Sequence, residues 1–320
     1  MKSFVVNEKD NHQRLDQFIT RTVPLLPQTL MYKYIRTKRI KINGQHGICS
    51  TRLNSGDIVE LYINNEFFEK PPPKYEFLQA SANLNIIYED ENIILCDKAV
   101  GILSHPNDSE QTDTLIGRIK RYLYEKGEYN PDMKNVFEPS LVNRIDRNTG
   151  GIVIAAKNAE ALTILNQKMK NRELRKFYLC VVHGILSSQS ETLNGYLVKD
   201  RQKNRVFVSK KKRNGSKEIR TKYRLLGSGR NLSLVEVELL TGRTHQIRAH
   251  FAAIGHPLLG DGKYGTNAQN AKYGYNRQLL YSYKLVFDFT TDAGKLEYLN
   301  HREFEAGNVW FKNAFYAGAL

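Results

Sequence analysis

The sequence predicts an α+β fold in two parts: a small N-terminal domain of helices and a short hairpin, then a larger domain rich in strands. Three observations predict it. Strand-like segments come in runs with helices scattered between them, rather than in the regular alternation of a parallel sheet. Three consecutive prolines, Pro71-Pro72-Pro73, lie in a stretch of little periodicity. Such a run joins neither a helix interior nor a central strand and favours a stiff spacer. The chain's 320 residues, 41% of them hydrophobic, suffice for a sizeable core and two domains. The expected boundaries are 1–64, a linker at 65–83, and 84–320.

In the first domain the pattern spans residues 12–63. Leu15, Phe18 and Ile19 recur at helical spacing. A second helix is expected over 28–37, with Leu30, Tyr34 and Ile35 on its apolar side. Lys33, Arg36, Lys38, Arg39 and Lys41 crowd five cations into nine positions along its edge. Ile40 and Ile42 alternate as a strand, and Asn43-Gly44 is a tight-turn dipeptide. Ser55-Gly56-Asp57 then turns the chain into the apolar run 58–63.

In the second domain, segments 86–88 and 93–96 read as strands around the acidic turn 89–92. Leu141-Val142 and Ile152 to Ala155 read as buried strands on either side of a glycine-bearing loop. Ala159 to Met169 reads as a helix with Leu162, Leu165 and Met169 inward. In the strand 177–182, Phe177, Leu179 and Val181 face one way and Tyr178, Cys180 and Val182 the other. The stretch 232–240 alternates as a strand, and 245–254 reads as a helix stopped by Gly255 and Pro257.

Charge narrows the partners. The net charge is +15 and the isoelectric point about 9.5. Residues 199–224 hold twelve Lys/Arg against two acids, net +10, and residues 1–64 hold ten against five, net +5. A balance this basic points to a polyanion. No apolar run reaches bilayer length and no basic amphipathic helix stands out, so nucleic acid is favoured over a membrane. The N-terminus lacks the apolar core of a signal peptide. Cys49, Cys96 and Cys180 are odd in number and far apart, which argues against disulfides or a metal cluster and fits core positions in a reducing cytoplasm. The chain is expected to act there as a monomer.

Two stretches carry the candidate chemistry. In Asn143-Arg-Ile-Asp-Arg-Asn-Thr-Gly-Gly-Ile152, Asp146 stands between Arg144 and Arg147. Nearby cations favour a carboxylate's anion, as a nucleophile requires, although a lone loop aspartate is more often a turn cap. In Thr241-Gly-Arg-Thr-His-Gln-Ile-Arg-Ala-His250, Ile247, Phe251 and Ile254 define an apolar helix face. Arg248 follows Ile247 and is expected to be partly buried, which demands an anionic partner, and Asp146 is a candidate. His245, His250 and His256 do not fit the His-Glu-x-x-His spacing, so metal catalysis is not expected. Tyr178 follows Arg172, Arg175 and Lys176, and a ring beside cations can stack on a displaced base.

These motifs resemble those of the RluA-type pseudouridine synthases. Residues 143–151 look like that family's His-Arg-Leu-Asp-x-x-Thr-Ser-Gly. Residues 174–184, Leu-Arg-Lys-Phe-Tyr-Leu-Cys-Val-Val-His-Gly, are similar to its Lys-x-Tyr-x-Ala-x-Val-x-Gly. Residues 241–265 resemble its third motif almost throughout. The segment 12–63 resembles an RNA-binding domain of the ribosomal-protein S-four type. Three departures stand out: Asn143 for the usual His, Gly150 for the usual Ser, and Ala99-Val100 interrupting the usual Lys-Pro-x-Gly.

The resemblance implies a central mixed, largely antiparallel sheet flanked by helices, with the active site in a cleft. It implies isomerisation of uridine within RNA, ribosomal or transfer, with no cofactor and no metal. By position, Asp146 is the nucleophile, Arg248 its partner, Tyr178 the ring against the uracil, and Arg144 the residue that enters the RNA helix. Arg147, Arg243, His245 and the N-terminal Lys33, Arg36, Lys38 and Arg39 are expected on RNA. Two alternatives stay open: a catalytically silent RNA-binding or ribosome-assembly factor with the same fold, and a hydrolase using His245 or His250 as base.

Overall fold

The computed structural model describes residues 1–68, 75–200 and 205–320. The Pro71-Pro72-Pro73 spacer and the cations Arg201 and Lys203 lie outside the described residues. The chain forms two compact units, Met1–Tyr75 and Glu76–Leu320.

The first unit consists of β1 (Lys2–Val5), α1 (Leu15–Thr22), α2 (Gln28–Arg36), β2 (Ile40–Ile42), β3 (Gln45–His46) and β4 (Ile58–Leu61). Its antiparallel sheet has the order β1-β4-β2-β3. Asn43 and Gly44 take φ of 50° and 77°, the two left-handed residues of the tight hairpin turn between β2 and β3. Leu15, Phe18 and Ile19 of α1 pack with Met31 and Ile35 of α2 over Ile40, Val59 and Leu61. Met31, rather than Leu30 or Tyr34, is the residue α2 buries beside Ile35. β1 carries no sequence signal of its own and is recruited by pairing with β4.

The second unit starts at Glu76, inside the expected linker. Phe77 meets Tyr124 and Tyr129 edge-on or tilted, Ala80 is fully buried, and Arg118 donates to the Asn83 carbonyl at 2.8 Å. The elements that follow are β5 (Ile86–Glu89), β6 (Ile93–Lys98), α3 (Leu115–Glu125), β7 (Ser140–Leu141), β8 (Gly150–Ala156), α4 (Ala159–Asn171) and β9 (Leu174–His183). Then come β10 (Ser190–Asp200), β11 (Arg205–Ser209), β12 (Lys217–Gly229), β13 (Leu232–Leu239), α5 (Gln246–Ala253), α6 (Asn267–Ala271), β14 (Leu280–Phe287), β15 (Glu303–Glu305) and α7 (Trp310–Tyr316).

They build one eleven-stranded sheet in the order β11-β10-β12-β13-β9-β14-β8-β6-β5, with β15 on β14 and β7 on β8. The β14–β8 pair is parallel and the others are antiparallel, so the sheet is mixed. Strand alternation divides the core as expected for β9. Leu179 and Val181 join α4 and α7 on one face. Tyr178, Cys180 and Val182 join α3 and α5 on the other. Burying all seven residues of β8 on both faces fixes the strand that delivers the Asp146 loop.

Three expectations need correction. Leu141 and Val142 are only partly buried, because β7 is a two-residue strip on β8. α4 turns Ala161, Leu165 and Lys168 inward, leaving Leu162 and Met169 partly exposed. Lys168 can be interior because its ammonium meets Glu173 at 2.7 Å and the Thr291 hydroxyl at 2.7 Å. Cys49 is partly exposed, whereas Cys96 and Cys180 are sealed in the sheet.

Candidate active site

Asp146 sits in the loop between β7 and β8, and its backbone is pinned from the turn after β6. The Ser104 hydroxyl donates to the Ile145 carbonyl at 3.0 Å. The Gly101 amide donates to the Arg147 carbonyl at 2.8 Å, and Arg147 Nε returns a bond to the Gly101 carbonyl at 3.0 Å. Lys98, fully buried, caps three carbonyls of this region, those of Ala99, Ile102 and Arg147, at 3.0, 2.7 and 3.1 Å. Burial pushes its ammonium down to about 7. The Thr149 amide closes a turn onto the Asp146 carbonyl at 3.0 Å. Gly151, at φ 110°, passes so near Ser282 that a Cβ would lie 2.1 Å from its carbonyl oxygen, so only glycine fits there.

The opposite wall comes from the turn before α5. Gln246 organises it with its side chain: Oε1 accepts from the Thr241 hydroxyl at 2.8 Å and the Arg243 backbone amide at 3.1 Å. Its amide donates to the Arg220 carbonyl at 3.0 Å and the Thr221 hydroxyl at 2.9 Å. The helix begins at Gln246, one residue later than the apolar spacing implies. His245 takes the left-handed cap conformation, φ 53°, and hangs outside the helix. Its Nδ1 meets the Tyr264 hydroxyl at 3.0 Å and its Nε2 stands 3.6 Å from Asp146 Oδ2.

Arg248 joins the two walls. Its Nη1 donates to Asp146 Oδ2 at 2.9 Å, while Nε and Nη2 grip Asp261 at 2.6 and 2.9 Å. Its guanidinium also lies over the Tyr264 ring, 5.2 Å from the centroid, and Arg205 lies 5.0 Å from the same centroid. Burial works against the charge of Arg248, but the carboxylates of Asp261 and Asp146 outweigh it and raise its pKa. Burial likewise opposes ionisation of Asp261, and the Arg248 fork overcomes this and holds its pKa low.

The cation that touches Asp146 is therefore Arg248, with the His245 ring beside it, not its sequence neighbours. Among the described residues neither Arg144 nor Arg147 forms an ion pair with it. The carboxylate remains 27% exposed and opens onto a cleft of about 1090 Å³. Arg144, Arg147, Tyr178, Arg243 and His245 line the same cleft. Tyr178 is buried, and burial pushes its phenol up to about 12, so it presents a neutral ring. Lys33, Arg36, Lys38 and Arg39 belong to the first unit, where all four are exposed and Arg39 lies 5.6 Å over the Tyr34 ring.

Asp261, Tyr264, Gln246 and Lys98 were not singled out from sequence. Asp261 and Tyr264 lie within the third motif, and the available signal was that a buried arginine serving an exposed carboxylate needs a second anchor.

A partly exposed carboxylate fixed by a buried guanidinium, facing a basic cleft on a mixed sheet, fits a nucleic-acid-modifying enzyme of the pseudouridine synthase class that the motifs resemble. The comparisons agree: residues 92–253 match the RNA pseudouridylate synthase family, and the chain belongs to it. An uncharacterised RNA pseudouridine synthase of Mycoplasma genitalium is 33% identical over 289 residues, 89% of this chain and 88% of the relative. The ribosomal large subunit pseudouridine synthase D of Borreliella burgdorferi is 28% identical, covering 96% and 91% of the two chains. The structure of human RNA pseudouridylate synthase domain containing 1 superposes with a TM-score of 0.53 at 23% identity, over 69% of this chain and 83% of that one, a likeness of fold. The chain is thus an RNA pseudouridine synthase, an isomerase of uridine in RNA.

Proposed function

We propose that Asp146 is the nucleophile of this isomerisation and that the substrate is ribosomal RNA. One observation carries the first part: Asp146 presents a partly exposed carboxylate, hydrogen-bonded by Arg248 at 2.9 Å, to the floor of the basic cleft. The similarity to ribosomal large subunit pseudouridine synthases supports the second.

In the reaction, the bond from uracil N1 to the sugar C1′ breaks and a bond from C5 to the same carbon forms. C5 loses a proton and N1 gains one, so the composition is unchanged. A stacked base cannot turn in this way, and the uridine must be flipped out at a cost of a few kcal/mol. Arg144, exposed at the cleft, fills the vacated stack, and phosphate contacts offset the cost. Tyr178 packs on the flipped uracil, and its neutral ring offers a face without competing charge. Arg248 holds Asp146 in place through its 2.9 Å hydrogen bond. Lys33, Arg36, Lys38 and Arg39 anchor RNA on the first unit.

Asp146→Ala tests the reading. Turnover disappears, as measured by pseudouridine mapping of ribosomal RNA with and without the enzyme. Affinity stays within a few-fold, because phosphate contacts dominate it. Turnover by the variant, or modification confined to transfer RNA, contradicts one half of the proposal or the other.

A further inference from the structure

Lys176 leaves β9 on the same face as Tyr178, two residues on, and lines the cleft that holds Asp146. Its ammonium has a single hydrogen-bond acceptor among the described residues, the Met169 sulfur at 2.9 Å, and no ion-pair partner. Other sheltered lysines of this unit are compensated: Lys168 by Glu173, Lys157 by Glu89, and Lys98 by three carbonyls. A thioether is a weak acceptor, and a sheltered charge without an anion is costly.

The carboxylates of the cleft are already taken. Glu238, paired across the ladder with Phe177, accepts from Arg175 at 2.8 Å and has Lys222 at 3.8 Å. Asp146 is held by Arg248. The charged groups facing this part of the cleft from α4 and its end are Lys170 and Arg172, and from the turn before α5, Arg243. All three are cations. Gly242 of that turn lies against the ammonium: a Cβ there would stand 3.7 Å from Lys176 Nζ, in ordinary contact.

We propose that Lys176 anchors a backbone phosphate of the RNA strand that delivers the uridine to Asp146. The inference rests on the reading of this cleft as the RNA site and adds the group that grips the strand there. Among the chemical groups of RNA, phosphate alone supplies the anion that a sheltered ammonium lacks; a base carbonyl leaves the charge uncompensated. Burial pushes Lys176 down to about 8 in the free protein, so the contact is available at neutral pH and is lost as the solution becomes alkaline.

The test uses the full chain and in-vitro transcribed large-subunit ribosomal RNA, with affinity measured across roughly 50 to 200 mM salt. Lys176→Met flattens the slope of log affinity against log salt by about 0.7 to 0.9, one phosphate contact, and Lys176→Arg retains the wild-type slope. At fixed salt, wild-type affinity begins to fall above about pH 8, whereas Lys176→Arg, always charged, shows no such fall. Lys98 is present in both proteins, so the difference between them isolates Lys176. An unchanged slope in Lys176→Met, or a fall in Lys176→Arg as large as in the wild type, overturns the proposal. Neither readout uses turnover. A wild-type enzyme that makes no pseudouridine would sink the role of Asp146 and leave these binding results standing.

Discussion

Asp261 holds Arg248 by two of its donors, Nε at 2.6 Å and Nη2 at 2.9 Å, and thereby turns the third, Nη1, onto Asp146. Asp261 is itself fully buried and accepts the backbone amides of Lys263 and Tyr264 at 2.9 and 3.1 Å. The geometry of the exposed carboxylate is thus set by a carboxylate that no substrate reaches.

Asp261→Asn breaks that arrangement at nearly constant volume. The guanidinium keeps Asp146 but loses its buried counter-charge, and removing one member of a buried pair costs about 3–5 kcal/mol. The expected outcome is a melting temperature lower by several degrees together with a large loss of turnover. Affinity for RNA stays near wild type, since Asp261 lies outside the cleft lining. A variant that melts and turns over like the parent would show that Asp146 does not need Arg248 held from behind.

The Asp146–Arg248 pair was legible in sequence, and its anchors were not. Asp146 and Arg248 stood out because an isolated carboxylate among arginines and an arginine next to an apolar helix face each raise a question of charge. Asp261 raised none, because a Gly-Asp-Gly stretch reads as an ordinary turn. Lys168 misled the reading of α4 for the same reason: a lysine is assigned to solvent unless its distant partner, here Glu173 with Thr291, is known. Strands with strict alternation, such as β9 and β13, were found. β1, of four residues, exists through pairing with β4 and leaves no pattern to find, whereas Leu141 marked β7 but not that it is a two-residue, half-buried strip on β8.

Gly150→Ser, which supplies the serine of the motif that residues 143–151 resemble, is expected to destabilise this chain. A Cβ at position 150 would lie 2.4 Å from the Tyr281 ring. That ring is buried, and its hydroxyl is held by Asp97 at 2.6 Å, so it cannot swing aside freely. Overpacking of this kind costs about 1–3 kcal/mol, or a melting temperature roughly 2 to 12 °C lower at about 2–4 °C per kcal/mol for a domain of this size. Combining it with Tyr281→Ala should cost less than the sum of the two single changes, because the clash is gone. Strict additivity would mean that glycine is at 150 for another reason.

The Lys168–Glu173 pair gives the second unit an acid-sensitive staple whose own side chains are not among the cleft lining. Burial alone would raise the Glu173 pKa. The hydrogen bonds from Lys168, Asn171 and Thr291 overcome this and hold it at about 2, below its ordinary 4.5. A carboxylate depressed on folding contributes stability that is complete above its unfolded value and disappears as pH falls toward the folded one. The contribution is therefore intact at pH 7 and declines from about pH 4.5 toward pH 2. Glu173→Gln leaves Lys168 buried without its anion and should lower the melting temperature clearly at pH 7, by the roughly 3–5 kcal/mol typical of a broken buried pair. Between pH 5 and pH 3 (a range of about two units in which the wild-type carboxyl begins to lose its advantage) the gap between wild type and variant should narrow. Thermal melts of both proteins across that range decide the matter: a gap that stays constant as the solution acidifies would place the anionic partner of Lys168 elsewhere.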